Sequence, residues 1–205
     1  ILRERGLAGA AKKAGRIAAE GIVDIMVDGD KAVIIEVNTE TDFATKNEVF
    51  KEFVTGVEKA IIANKPADVD ALLALDFEPG LTIDEKLKEM IGSVIRENMS
   101  IRRFALIEGT TATYVHGGGA AGVIVKFNAD DAAKSNAGFA EFAKNIALQI
   151  AAGNPPSYVT RDEVPASAVE EEKQVILNTI KNDPKNANKP EAILEKIAEG
   201  KMRKF

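Results

Sequence analysis

The sequence has no cysteine and no tryptophan, and His116 is its only histidine. The absence of cysteine excludes disulfide bonds, thiolate catalysis and cysteine-based zinc sites, and it is typical of proteins of the reducing cytoplasm. A single histidine excludes a metal site with two histidine ligands. No run of about 18 apolar residues occurs, so no membrane-spanning helix is predicted. We therefore expect a cytoplasmic protein that contacts no membrane.

The balance of charge argues against general nucleic-acid binding. The chain has 27 basic and 32 acidic residues, a net charge of −5, whereas nucleic-acid-binding proteins usually present a basic surface. Apolar residues make up 45% of the chain, which is ordinary for a protein with a core and excludes wholesale disorder. We expect no direct contact with nucleic acid.

The first half of the chain alternates between helical and strand patterns. Residues 7–19 are rich in alanine and lysine and predict a helix that Gly21 stops, with its basic residues on a solvated face. Residues 22–27 and 32–37 predict a β-hairpin around the turn dipeptide Asp28-Gly29. An amphipathic helix follows, and its apolar stripe consists of Phe50, Phe53, Val54, Val57 and Ile61.

The middle of the chain contains a second helical pattern and two strands. Thr82 and Glu85 have the spacing of a capping box. The buried stripe predicted for the helix that follows consists of Leu87, Ile91, Val94 and Ile95. Residues 101–107 and 110–115 read as strands.

An internal repeat organises these elements. Residues 121–156 follow the plan of residues 32–66, about 90 positions earlier, and with only two copies this is a duplication rather than a solenoid. The second helix stripe consists of Phe139, Phe142, Ala143, Ile146 and Ile150. The repeat predicts an α+β fold with two related subdomains, each a small antiparallel sheet covered by helices.

The last part of the chain predicts a protruding antiparallel helical hairpin. Residues 167–182 and 191–205 are charged helical patterns with narrow apolar stripes, joined by a polar turn. These stripes consist of Val169, Val175, Ile176 and Ile180, and of Ile193, Leu194 and Ile197. The predicted domains are residues 1–100, 101–160 and 161–205.

The connection Thr41-Asp42-Phe43 is the candidate functional site. A large aromatic residue in a polar connection between a strand and a helix has no obvious core to enter, and loops on a rigid scaffold often carry binding function. The second copy has Asp130-Asp131-Ala132-Ala133 at this place. Since the scaffold is repeated without the aromatic residue, Phe43 is expected to have a task specific to the first copy.

Enzymatic chemistry finds little support. His116 stands beside Gly117-Gly118-Gly119, a pattern of a hairpin turn that lacks the lysine and hydroxyl of a P-loop. The acidic clusters at residues 130–131 and 170–172 have the positions of helix starts. We therefore expect a binding module without enzymatic activity, metal or cofactor, and an exposed aromatic residue suits a pocket on another protein.

Five segments closely resemble elongation factor Ts and occur in the same order as in that family. They are GAAKKAGRIAAEG, EVNTETDFATKNEVF, ENMSIRRFALIEG, YVHGGGAAGV and KPEAILEKIAEGKMRKF. The resemblance implies two related core subdomains and a helical hairpin at about residues 167–205. It also implies that the family's small N-terminal helical module and its C-terminal return segment are missing, so we expect a fragment.

The resemblance implies a guanine nucleotide exchange factor that binds elongation factor Tu, the GTPase that delivers aminoacyl-tRNA to the ribosome. In the family, the Asp-Phe of the TDF motif enters the GTPase near its phosphate and magnesium site. This maps onto Asp42 and Phe43, with Thr41 and Asn47 in the same binding region. The resemblance implies no cofactor.

The resemblance implies that the second subdomain binds another domain of the partner. His116 and Gly117 are the implied contact residues there. The sequence departs from the family pattern at Ala120, where a basic residue is common, and at Gln149, where histidine is frequent. It also has Ala44-Thr45 beside the TDF motif in place of the commoner Val-Ala.

Two alternatives come from other functional classes. One is a dimeric or ribosome-associated assembly module that uses its sheet edges and helical arm. The other is a metalloenzyme built on an acidic cluster, which would show metal-dependent turnover. The sequence leaves open a homodimer and a bacterial or organellar source.

Overall fold

The computed structural model describes residues 2–153, 155–186 and 189–203. It has the predicted α+β composition and divides into two compact units, residues 1–155 and 156–205. The helices are α1 (Leu2–Ala11), α2 (Asp42–Thr45), α3 (Glu48–Asn64), α4 (Val69–Leu73), α5 (Ile83–Glu89), α6 (Asp131–Lys134), α7 (Phe139–Ala151), α8 (Ala166–Asn182) and α9 (Glu191–Met202). The strands are β1 (Glu20–Asp28), β2 (Lys31–Thr39), β3 (Asp76–Glu78), β4 (Leu81–Thr82), β5 (Met99–Glu108), β6 (Thr110–His116) and β7 (Ala121–Phe127).

The main sheet is antiparallel, in the order β1-β2-β5. The hairpin is confirmed, but its turn lies one residue later than predicted, at Gly29-Asp30, because Asp28 pairs with Lys31. Gly29 has a φ of +60°, in the left-handed region that glycine adopts without steric cost. The strand predicted at residues 101–107 pairs with β2, so it belongs to this sheet and not to the second copy.

Helix α3 covers one face of the main sheet. All five residues of its predicted stripe are buried, with at most 2% of each exposed, and they pack with buried residues of β2 and β5. Full burial of such side chains stabilises a fold by roughly 1.5–3 kcal/mol each. The opposite face of the sheet contacts the hairpin of β6 and β7. Gly122 of β7 lies so close to this face that a Cβ atom added to it would be 3.1 Å from the Ile34 side chain.

The helix predicted at residues 7–19 is shorter than expected. Helix α1 ends at Ala11 and residues 12–16 form turns. The Asn98 side-chain amide donates to the carbonyl oxygen of Arg16 at 2.6 Å. A longer helix would use this carbonyl oxygen for a hydrogen bond of its own. A tertiary contact therefore opposes the local helix propensity.

The capping box of α5 is confirmed, with the Thr82 hydroxyl accepting from the Glu85 N–H at 3.2 Å. Helix α5 continues into a π-helical turn at Met90–Val94. Leu87 and Ile91 are buried as predicted, but Val94 is exposed and Met90 is fully buried instead. The wider π turn changes the helical register, so a stripe counted at 3.6 residues per turn misassigns Val94, whereas Ile95 still packs against the core.

The second copy has the element order of the first: a hairpin (β6-β7), a four-residue helix (α6) and a long helix (α7). Phe139 packs edge-on against Phe127, with 5.6 Å between ring centroids. The prediction of a buried Phe142 is wrong, because α7 buries the small residues Ala143 and Ala147 and leaves Phe142 exposed.

In the C-terminal unit, α8 and α9 pack through a small cluster of Ile180, Leu194 and Ala198. The contact between the two helices involves few residues, and three other members of the predicted stripes are exposed: Val169, Val175 and Ile193. Residues 187 and 188 of the predicted polar turn lie outside the described residues. Within the described ranges, no helix is long and apolar enough to cross a membrane.

Candidate functional site

The candidate site lies where β2 leaves the main sheet and the chain turns into α2. Thr39, the last residue of β2, is fully buried, and its hydroxyl donates to the carbonyl oxygen of Thr41 at 2.8 Å. Ala44 is the buried residue of α2, with only 6% of its surface exposed. The connection is therefore tied to the sheet at both ends.

Residues 96–98, here called the 96–98 clamp, hold this connection from the outside. The backbone N–H and the hydroxyl of Thr41 donate to the two carboxylate oxygens of Glu97, at 2.9 and 2.8 Å. In return, the N–H of Asn98 donates to Glu40 at 2.6 Å. Hydrogen bonds to a charged group are worth roughly 1.5–3 kcal/mol each, so the clamp fixes the backbone on which Asp42 and Phe43 stand.

Arg96 starts the clamp with a φ of +64°, an uncommon conformation for a residue other than glycine. Its N–H and that of Ile95 both point at the carbonyl oxygen of Met90, at 3.4 and 2.8 Å, and close the π-helical turn. This reversal of the chain brings Glu97 and Asn98 to the end of β2.

Asp42, Phe43 and Lys46 form the exposed tip of the site. Lys46 Nζ lies 2.7 Å from Asp42 Oδ2 and 5.1 Å from the centroid of the Phe43 ring. The hydrogen bond from Lys46 lowers the pKa of Asp42, which is therefore ionised at neutral pH. Phe43 is 75% exposed, so its ring faces solvent on a fixed backbone.

Asn47 begins α3 as its N-cap. Its side-chain oxygen accepts a hydrogen bond from the N–H of Val49 at 2.9 Å, and a cap of this kind stabilises a helix by about 1 kcal/mol. This contact explains Asn47 structurally, and its predicted role in partner binding stays a prediction.

The second copy builds the same tip without the aromatic ring. Helix α6 begins at Asp131 as α2 begins at Asp42, which places Ala132 at the position of Phe43. Lys134 pairs with Asp131 at 2.8 Å, much as Lys46 pairs with Asp42. The second copy therefore forms the same short helix without a bulky side chain at this position, and the special task of Phe43 stays a prediction.

His116 and Gly117 lie on the exposed turn between β6 and β7. The His116 Nδ1 and the Tyr114 hydroxyl are 3.0 Å apart. The turn is fixed to the main sheet by Gly119, whose carbonyl oxygen accepts from the N–H of Val23 at 2.8 Å. Because Val23 is three residues from Glu20, which pairs with Thr39, this docking point lies about 10 Å along the sheet from the end of β2.

The structure brings Thr41, Asp42, Phe43 and Asn47 into one short segment, while His116 and Gly117 lie on a separate turn. Two residues of the site were missed by sequence reasoning. Lys46 had a local signal, since residues four apart on a helix face each other. Glu97 is 56 residues from Thr41, and no local pattern links the two. Across the described residues, no group of three or more metal-ligating side chains occurs.

The chain is similar to known proteins along its whole length. The family model described as Elongation factor TS matches residues 40–205. Elongation factor Ts of Syntrophotalea carbinolica is 42% identical over 210 residues, which cover 100% of this chain and 66% of the relative. The same protein of Lacticaseibacillus casei is 42% identical, with 100% and 67% covered. That of Levilactobacillus brevis is 40% identical, with 100% and 66% covered.

The chain thus spans about two thirds of the length of these relatives. The matched residues include the complete TDF connection, the 96–98 clamp and both helices of the C-terminal unit. The chain belongs to the elongation factor Ts family.

Proposed function

We propose that this chain is a guanine nucleotide exchange factor that binds elongation factor Tu in its GDP-bound form and accelerates GDP release. The observation that carries the proposal is the exposed ring of Phe43, held on a clamped backbone at a position where the duplicated copy has alanine. A rigid aromatic side chain loses little entropy when it enters a pocket, which is why aromatic residues often dominate binding energy.

Phe43 acts as a wedge between elements that hold the nucleotide. The backbone on which it stands is fixed by hydrogen bonds of 2.8–2.9 Å between Thr41 and Glu97. A fixed ring can displace the partner's structure instead of moving aside itself. Asp42 stands beside it as an ionised carboxylate, and its negative charge disfavours the phosphate and disturbs the surroundings of the magnesium ion.

Lys46 contacts both other residues of this tip in the free chain. It neutralises Asp42 and covers one side of the Phe43 ring. Because the ion pair is exposed, it is worth little and opens readily when Asp42 meets the partner. No covalent bond is made or broken, so the chain is a binding protein and not an enzyme.

The energetic basis is linkage between two ligands of one protein. If the chain binds the nucleotide-free GTPase more tightly than the GDP-bound form, then GDP must lower the affinity for the chain by the same factor. The second hairpin contributes a separate contact through the turn at His116 and Gly117, which fixes the orientation of the partner.

The test is the rate of GDP release from elongation factor Tu, measured with the wild-type chain and with a variant carrying Asp42→Ala and Phe43→Ala. We expect the wild-type chain to accelerate release and the variant to lose most of this effect. Phe43 and Asp42 are exposed, so the variant should fold normally. Ala132→Phe, which adds the ring to the second copy, is the matched control and should behave as wild type.

An assembly module would leave GDP release unchanged. Equal acceleration by the wild type and by the folded double variant would also exclude Asp42 and Phe43 as the active residues.

A further inference from the structure

A second exposed apolar side chain lies on a loop held by the same clamp. Residues 12–19, here called the basic loop, connect α1 to β1 and include Lys12, Lys13 and Arg16. Ile17 of this loop is 84% exposed. An exposed aliphatic side chain forgoes the stabilisation that burial would give. The proposed function assigns no role to Ile17.

The basic loop is fixed in place. The Asn98 side chain donates to the carbonyl oxygen of Arg16 at 2.6 Å, while the Asn98 backbone N–H donates to Glu40. The Arg16 guanidinium lies 3.6 Å from the Glu40 carboxylate. Consecutive residues of the 96–98 clamp thus position two loops, since Glu97 holds the connection with Phe43 and Asn98 holds the loop with Ile17.

Arg16 remains available to a partner. Its side chain is 54% exposed, and the Glu40 oxygen that it approaches accepts a shorter hydrogen bond of 2.6 Å from Asn98. The chain as a whole is acidic, with a net charge of −5, so a local group of basic residues beside an exposed isoleucine is a distinctive surface. Such a surface complements an apolar pocket with acidic side chains at its rim.

We propose that the basic loop is a second contact element for the same GTPase, in which Ile17 enters an apolar pocket and Arg16 meets a carboxylate at its rim. The inference rests on the proposed function, because it takes elongation factor Tu as the partner. The shared clamp supports this choice, because consecutive residues of one support hold the connection with Phe43 and the loop with Ile17.

The two contacts have different effects on exchange. Ile17 does not act on the nucleotide site, so its contact is the same in the GDP-bound and nucleotide-free complexes. An interaction that is equal in both states changes affinity and leaves the maximal rate unchanged. Phe43, in contrast, changes the maximal rate.

The experiment measures GDP release as a function of the concentration of the chain. For Ile17→Ala we expect the half-saturating concentration to rise about tenfold with an unchanged maximal rate. Arg16→Glu should raise it as well, and this effect should shrink at high salt. Val27→Ala is the matched control, because Val27 is a 53% exposed aliphatic residue at the opposite end of β1.

An Ile17→Ala curve that coincides with the Val27→Ala curve overturns the inference while exchange by the wild type still supports the proposed function. If the wild type does not accelerate release, the proposed function fails. In that case, calorimetric titration of the chain into nucleotide-free elongation factor Tu tests whether the basic loop contributes to binding. A tenfold weaker Kd for Ile17→Ala supports it, and an equal Kd or an absence of binding overturns it.

Discussion

Glu58 should make the stability of the first compact unit, residues 1–155, depend on pH. It lies in α3 with only 1% of its surface exposed, and its Oε1 has no hydrogen-bond partner among the described residues. Burial first, and second the negative charge of Asp24 on β1, together raise the pKa of Glu58 to about 8. In the folded chain at neutral pH, Glu58 is therefore mostly protonated.

The sign of the effect follows from linkage. Between pH 4.5 and 8 the folded state holds a proton on Glu58 that the unfolded state has released, so the free energy of unfolding falls as the pH rises. Each unit of pKa difference corresponds to about 1.4 kcal/mol. From well below pH 4.5 up to pH 7, the free energy of unfolding therefore falls by about 3 kcal/mol.

Glu58→Gln removes this loss, since glutamine is neutral in both states and has nearly the same shape. The assay is urea unfolding of the wild type and of Glu58→Gln at several values between pH 4.5 and 8. The variant should be more stable than the wild type at pH 7, by up to roughly 3 kcal/mol, and the difference should shrink toward pH 4.5. Glu52→Gln, on the exposed side of the same helix, is the control and should leave the pH profile unchanged.

A wild-type profile that is parallel to that of Glu58→Gln across this range would refute the reasoning. It would mean that Glu58 is ionised in the folded state and finds a compensating contact.

Two further predictions concern the supports of the candidate site. Glu97→Ala removes the acceptor of both Thr41 hydrogen bonds, so the maximal rate of GDP release should fall although Glu97 need not touch the partner. Glu97→Gln, which keeps one acceptor oxygen, should recover part of it, and equal rates for both variants would argue against the clamp. Gly119→Ala should destabilise the chain by roughly 1–3 kcal/mol in urea unfolding, since its Cβ would lie 2.9 Å from the Ile22 Cβ at a φ of +106°. Gly118→Ala is the control: it also has a positive φ, but no atom of the other described residues lies within 4 Å of an added Cβ, so an equal loss would contradict the packing argument.

Local patterns were sufficient to predict the hairpin of β1 and β2 and the helix α3. The stripe of α3 is periodic and fully buried, and the hairpin has strands of β-branched residues around a glycine turn. The duplication was visible because a strand and a helix recur in the same order. Its most useful consequence, the alignment of Phe43 with Ala132, agrees with the position of both residues in a four-residue helix.

Features that depend on distant residues were not predictable. The position of Arg16, beyond the end of α1, depends on Asn98, more than 80 residues away, and the position of Thr41 depends on Glu97. The register of the helix before the clamp changes in a π turn that no spacing rule indicates. In the second copy, the predicted burial of Ala143 is confirmed, but the exposure of Phe142 and the burial of Ala147 were not predicted.

The central claim is that the ring of Phe43 drives GDP release. It is tested most directly by the rate of GDP release from elongation factor Tu at saturating concentrations of wild type and of Phe43→Ala. Truncation of an aromatic side chain that dominates binding typically costs about 2 kcal/mol or more, so we predict that the maximal rate falls by roughly tenfold or more. An unchanged maximal rate for the folded Phe43→Ala chain would contradict the account.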